Sequence, residues 1–213
     1  MIIFSKEKAL SVKEAVDDLL KQISERIGWE MVKSQRCIKK TVGDLVFQIN
    51  VYSSKWNRSY ENIEIQCECQ LWCKKFDQIL NNKSQVGYYK FAADNAEWWA
   101  ITDSDDLSNT INNLCKQIEE TILPLSKQFE TNFIEGVKAL AIKDIYSQYN
   151  VRLEFIDVYA GREYVKEIAK NYYESLSEII KQDIIRYKQG AKDKAWMINP
   201  SNLKYIVDKN ILE

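Results

Sequence analysis

Residues 63–73 decide the fold: Ile63-Glu64-Ile65-Gln66-Cys67-Glu68-Cys69-Gln70-Leu71-Trp72-Cys73. Apolar or thiol side chains alternate with polar or amphipathic ones from end to end. Successive side chains of a β-strand point to opposite faces, so this period of two predicts a long strand with one face on a core. The same pattern runs just upstream, where Leu45, Phe47, Ile49 and Val51 alternate with Val46, Gln48, Asn50 and Tyr52. Gly43-Asp44 reads as a tight turn from a strand near Cys37–Val42, and Asn57 to Asn62 as the loop between the two long strands. Shorter candidates follow at Val86–Phe91 and Glu97–Thr102. Short connections between successive strands predict an antiparallel sheet with one apolar face.

That face needs a cover, and the preceding segment supplies one. Between Ser11 and Ile27, Val12, Ala15, Val16, Leu19, Leu20, Ile23 and Ile27 fall on one helical stripe, with Lys13, Asp17, Asp18, Lys21 and Glu25 opposite. Ser11 and Glu14 have the spacing of a capping box, and Gly28 can take the left-handed conformation that ends a helix. From Asp103 to Leu125 a second stripe (Leu107, Ile111, Leu114, Ile118, Ile122, Leu125) predicts another helix, kinked or stopped by Pro124. Helices are expected over Asn132–Tyr149, on either side of Gly161 with the latter half running from Arg162 to Gln189, and from Asn199-Pro200 onward. The fold class is α+β: an N-terminal helix packed on a four- or five-stranded antiparallel sheet, followed by a helical C-terminal subdomain. The expected division is 1–128 and 129–213.

Composition removes many functions. The 213 residues include no histidine, which excludes serine–histidine and cysteine–histidine catalysis, histidine-ligated metals and a histidine pH switch. Thirty Lys+Arg against thirty-one Asp+Glu leave a formal net charge of -1, so no general positive field attracts nucleic acid or anionic lipid. Arg36, Lys39 and Lys40 are close in sequence but read as a solvated edge. Five cysteines, no apolar run long enough for a signal peptide and no 18-residue apolar stretch point to a cytoplasmic protein with reduced thiols. Six glycines offer no Walker loop, dinucleotide fingerprint or nucleophile elbow.

Several residues, in one order along the chain, carry a family likeness. They are Gly28-Trp29, the strand Gln48-Ile49-Asn50-Val51-Tyr52-Ser53-Ser54-Lys55-Trp56, the strand Ile63–Trp72, the pair Trp98-Trp99 and Leu123-Pro124-Leu125. The middle of the chain, roughly residues 12 to 130, thereby resembles a bacterial family catalogued as domain of unknown function 4304, whose corresponding stretch runs "vInvQkSkw". Tyr52 stands where that family carries glutamine, and Gln66-Cys67-Glu68-Cys69 where it has a small residue. The resemblance implies a fold and no reaction.

The site readings follow from the two faces of the sheet. Cys67, Cys69 and Cys73 share the apolar face. A zinc site would need Cys37 from a neighbouring strand as a fourth thiolate, but they read as small core thiols, because a strand has no knuckle turn to wrap zinc. No metal and no cofactor are expected. On the opposite face Gln48, Asn50, Gln66, Glu68 and Gln70, edged by Tyr52 and Trp72 and continued by Ser54, Lys55 and Trp56, form a candidate surface for binding another protein. The expected role is a non-enzymatic protein-binding module, such as an immunity protein that sequesters a toxin, with neither nucleic acid nor membrane as partner. A basic nuclease-type toxin would suit its acidic strand residues. The alternative is a histidine-free hydrolase using Glu61, Glu64 or Glu68, or a metal held by Asp103 and Asp105 with Glu97. Asp103, Asp105 and Asp106 read more simply as helix caps. A third possibility places a dimer interface on Tyr146, Tyr149, Tyr159, Tyr164, Tyr172 and Tyr173.

Overall fold

The structure is a computed structural model; it describes residues 10–81, 85–93, 96, 98–142, 151–191 and 200–213. Helix α1 (Val12–Ile27) starts at Ser11, whose hydroxyl accepts from the Glu14 amide while the Glu14 carboxylate takes the Ser11 amide, and ends at Gly28 with φ 70°. The expected capping box is present atom for atom. Its stripe of Ala15, Val16, Leu19, Leu20 and Ile23 is buried.

Six strands follow: β1 (Glu30–Val32), β2 (Cys37–Val42), β3 (Leu45–Ser53), β4 (Ile63–Cys73), β5 (Gln85–Lys90) and β6 (Trp99–Ile101). Their order is β1-β2-β3-β4-β5, all antiparallel, with β6 pairing the start of β4 on the edge where β5 pairs its later part. Burial along β4 alternates without a break, and Ile63, Ile65, Cys67, Cys69, Leu71 and Cys73 are all inside. The sheet has more strands than the four or five expected. The three-residue β1 is too short to show a period, and β5 and β6 divide one edge of β4 between them.

Helix α2 (Lys74–Leu80), unforeseen from the sequence, follows β4 directly and buries Phe76. Helix α3 (Ser104–Glu120) ends before Pro124, at Thr121, and α4 (Ile122–Thr131) restarts with the proline in its first turn. A continuous helix would drive the Pro124 ring into the carbonyl of Glu120 and leave it without a donor. The chain therefore breaks upstream and places Pro124 where a missing N–H costs nothing.

Beyond lie α5 (Phe133–Ile142), α6 (Leu153–Ala160), α7 (Arg162–Ser175), α8 (Glu178–Lys188) and α9 (Pro200–Asp208). The helix expected from Arg162 to Gln189 is two, because Leu176 turns extended and Ser177 caps α8 through the Ile180 amide. The Asn132–Tyr149 expectation holds as far as Ile142; the later part, with Tyr146 and Tyr149, lies outside the described residues, as do Glu97, Trp196 and Asn199.

Helices α1, α3 and α4 pack on the apolar side of the sheet. A relay of aromatic rings connects that side to the later helices: Trp29–Phe47, Phe47–Phe129, Phe129–Phe133, Phe133–Tyr159, Tyr159–Phe155 and Phe155–Phe76, with centroids 4.9–5.8 Å apart. Mutually edge-on or tilted rings at such spacing add about 0.5–1.5 kcal/mol per pair beyond burial. The Cys73 thiol, on the same side, lies 3.1 Å from the Tyr159 hydroxyl. These contacts place α4, α5 and α6 against the apolar face and away from the amide-rich one.

Candidate functional site

Register arranges the polar face in cross-strand rows. One row runs Lys39, Gln48, Gln70, Tyr88 and the next Cys37, Asn50, Glu68, Lys90; Tyr52 stands opposite Gln66, and Val46 opposite Trp72. The side chains bond mainly to one another. Gln48 Nε2 donates to Asn50 Oδ1 at 2.7 Å, Tyr52 donates its hydroxyl to Glu68 Oε1 at 2.9 Å, and Trp72 Nε1 donates to Gln70 Oε1 at 3.2 Å. Gln70 Nε2 donates to both the Tyr52 oxygen, at 3.2 Å, and Glu68 Oε1 at 2.5 Å. Burial, followed by the bond to Glu68, pushes the Tyr52 hydroxyl up to about 12.

Gln48, Gln66, Glu68, Gln70 and Trp72 are half-buried, and Tyr52 is exposed. Asn50 is the exception: it is buried, and its Nδ2 has no hydrogen-bond partner among the described residues. Its neighbour in the row, Cys37, is also fully buried. Cys37 therefore belongs to the polar face, opposite in direction to Cys67, Cys69 and Cys73, so those four thiols cannot converge on one ion. All five cysteines are buried and outside any disulfide, and burial holds the Cys37, Cys67 and Cys115 thiols above their ordinary range. No group of three or more metal-ligating side chains occurs among the described residues.

The β3–β4 loop extends the face. Asn57 clamps it through a reciprocal pair: its Nδ2 donates to the Glu64 carbonyl at 2.9 Å and its Oδ1 accepts from the Glu64 amide at 2.8 Å. The Ser54 hydroxyl accepts from the Trp56 amide at 3.2 Å, and the Tyr60 amide donates to the Leu10 carbonyl at 2.8 Å. On this pinned loop Trp56 is 77% exposed and Tyr60 63% exposed, with the Lys55 ammonium 5.0 Å from the Trp56 ring centre.

The structure thus gathers Gln48, Asn50, Tyr52, Gln66, Glu68, Gln70 and Trp72 on one face, and Ser54, Lys55 and Trp56 on the adjoining loop. Tyr60, Tyr88, Lys39 and Lys90 were not expected there. Alternation in Val86–Phe91 could have paired Tyr88 with Lys90, but only the β4–β5 register shows that they flank Gln70 and Glu68.

The carboxylate candidates among the described residues do not converge. Glu64 and Glu68 are four residues apart on one strand, about 13 Å along the backbone, too far for a shared acid–base pair. Glu61 forms instead an exposed ion pair with Arg58, at 3.6 Å. Asp103 is the N-cap of α3, accepting from the Asp105 and Asp106 amides at 2.8 and 2.9 Å. The Thr102 hydroxyl, and after it the Thr102 amide at 3.0 Å, donate to the Asp106 carboxylate and hold its carboxyl below the ordinary range. Lys39 and Lys40 do not form one patch with Arg36: Lys40 pairs with Glu130 at 2.5 Å on the apolar side, and Lys39 donates to the Gln35 side chain on the polar side. Among the tyrosines suggested for an interface, Tyr172 is buried, Tyr159 joins the ring relay, and Tyr164 donates to the Lys138 carbonyl at 3.2 Å.

Comparison with protein-family models, with curated proteins and with solved structures finds no match to this chain. No helix among the described residues is long and apolar enough to cross a membrane.

Proposed function

We propose that the chain is a protein-binding module that docks its partner on the polar face of the sheet and the β3–β4 loop, and that it is not an enzyme. Kinship with the bacterial family of unknown function and a cytoplasmic location belong to the same proposal. The observation that carries it is Trp56, 77% exposed on a loop clamped by Asn57. A large ring kept in water on a fixed backbone loses little entropy on association, which is the economy that makes tryptophan a common binding anchor.

The network of Tyr52, Glu68, Gln70 and Trp72 supports the same reading, because it holds the side chains around the anchor in place before a partner arrives. Toxin sequestration remains one form of this role. Lys90 stands directly across from Glu68, so the face has the character of neutral amides more than of an acidic trap for a basic nuclease.

The test is affinity capture from the source organism with the immobilised wild-type chain and with Trp56→Ala/Gln66→Ala. A protein retained near stoichiometrically by the wild type and weakened about 30-fold by loss of a tryptophan anchor worth about 2 kcal/mol is the expected result. A partner held equally by both chains, or none at all, would refute the assignment.

A further inference from the structure

We infer that Tyr60 is a second anchor of the docking site, a ring kept at a cost to the fold because it enters an apolar pocket of the partner protein. The inference rests on the protein-binding reading above and adds to it a residue that the pattern of the sequence does not single out.

The backbone supplies the first observation. Tyr60 has φ 69°, in the left-handed region that glycine and asparagine enter most readily and that crowds the Cβ of a bulky side chain. Three other residues besides glycine share this region among the described residues. Two of them are Asn81 and Asn210, and the third, Arg36, ends the short helical turn at Lys33–Gln35. Only at position 60 does an aromatic ring stand where asparagine would fit the chain better.

The bonds that fix this conformation do not use the ring. The Tyr60 amide donates to the Leu10 carbonyl at 2.8 Å, and the Ser59 hydroxyl accepts from the Val12 amide at 3.2 Å. The backbones of Arg58 and Asn62 bond to each other reciprocally, at 3.0 and 3.1 Å. An asparagine at position 60 would keep every one of these. Packing does not account for the ring either. It is 63% exposed, stands outside the side chains packed against the core, and makes no hydrogen bond, ion pair or ring contact with a described residue.

Backbone strain of this kind gathers at ligand contacts, where a side chain is worth more to recognition than to the free fold. The same bonds tie the loop to the start of α1, so the ring stands on a fixed support and loses little freedom when covered. Trp56 is presented on the same loop in the same way. The charges on and beside the loop balance, Lys55 and Arg58 against Glu61 and Glu64, so it selects neither an acidic nor a basic surface. What it offers is aromatic area, which a concave apolar pocket takes up.

The test compares Tyr60→Asn and Tyr60→Phe with the wild type. Its probe is the protein that the immobilised wild-type chain retains from the source organism, eluted and titrated back by calorimetry. Tyr60→Asn should raise the thermal midpoint by about 2–4 °C and yet weaken the partner at least about tenfold. Tyr60→Phe keeps both the ring and the backbone cost, so its midpoint should match the wild type and its affinity should stay within about threefold. If the midpoint of Tyr60→Asn fails to rise, the ring supports the fold and the inference is overturned. A partner held equally by Tyr60→Asn, or binding as weak in Tyr60→Phe as in Tyr60→Asn, overturns it too. In each of these cases a partner that still depends on Trp56 leaves the protein-binding reading standing. If the wild type retains nothing, that reading fails and the role of Tyr60 falls with it. Sedimentation of the wild type with phosphatidylcholine vesicles, lost in Tyr60→Asn, would give the ring to a bilayer and overturn the protein contact.

Discussion

Tyr52 and Glu68 meet on the diagonal of the β3–β4 pair: the hydroxyl donates to Oε1 at 2.9 Å, although register sets Tyr52 opposite Gln66 and Glu68 opposite Asn50. Burial disfavours the phenolate, and the neighbouring carboxylate acts in the same direction, so the hydroxyl is pushed up from 10.0 to about 12. The folded state thus favours the protonated form. Its contribution to stability is complete below pH 10 and disappears as the pH rises from 10 to about 12. The residue is 41% exposed, so solvent screens the effect and its share of the alkaline stability loss is small. In an ultraviolet titration, Tyr52→Phe should remove one phenol that ionises near pH 12. Loss of a phenol that ionises near 10 would disprove the assigned contact.

Asn50 sits between Cys37 and Glu68 in its row with a buried Nδ2 that has no acceptor among the described residues. An unmet buried polar group costs about 1–3 kcal/mol, so Asn50→Val, which suits a strand, should stabilise the free protein. Gln48 loses an acceptor in that variant, but it is half-buried and can turn to water. The net gain expected is about 1 kcal/mol, or about 2–4 °C in the thermal midpoint for a chain of this size. A lower midpoint would mean that the amide has an acceptor in solution.

Those two residues also mark where the sequence can be read and where it cannot. Alternation in 45–53 and 63–73 puts Asn50, Tyr52 and Glu68 on one face before any coordinates exist, because the strand period is geometric. The pairing of β4 with β5 is a long-range matter. It follows from packing and from the bulge at Leu71–Trp72, so the company of Tyr88 and Lys90 on that face is invisible locally. The same limit applies to Cys37. Its nearness in sequence to Ile38 says nothing of direction until register sets it opposite Asn50. Trp56 was a candidate by residue type, but its exposure depends on Asn57 clamping the Glu64 backbone, a contact between the two ends of a loop. Helix signals were legible to the atom where they are local, as at Ser11 and Glu14. The interruption expected from Pro124 is present too, but it falls upstream at Thr121, because the proline clashes one turn back.

The start of α3 makes a paired prediction. Removing the Asp103 cap in Asp103→Ala should cost about 1 kcal/mol, again about 2–4 °C. Asp106 should instead shape the acid limb. Its carboxyl lies below the ordinary 3.8 because of the Thr102 bonds, so its contribution is present above 3.8 and is lost as the pH falls through the lower folded-state value. Urea midpoints at pH 7 and pH 3 should differ less in Asp106→Asn than in the wild type. An unchanged difference would show that the bond to Thr102 has no energetic weight.

Gly136 sets two opposing effects against each other. It lies within α5, where alanine would ordinarily be favoured by about 1 kcal/mol. A Cβ at this position would stand 2.5 Å from Cγ of Phe129. That ring cannot swing aside freely, since Phe47 and Phe133 hold it from two sides with centroids at 5.8 and 5.2 Å. Overpacking a core commonly costs about 1–3 kcal/mol, which exceeds the helix gain. Gly136→Ala should therefore destabilise by about 1 kcal/mol despite improving local propensity. Adding Phe129→Ala, which removes the Cγ and Cδ atoms nearest the new methyl, should make the alanine at 136 less harmful than it is in the Phe129 background. A double-mutant cycle in chemical denaturation measures that coupling directly. If Gly136→Ala raises the midpoint on its own, the ring is free to move, and the close approach of α5 to α4 does not depend on glycine.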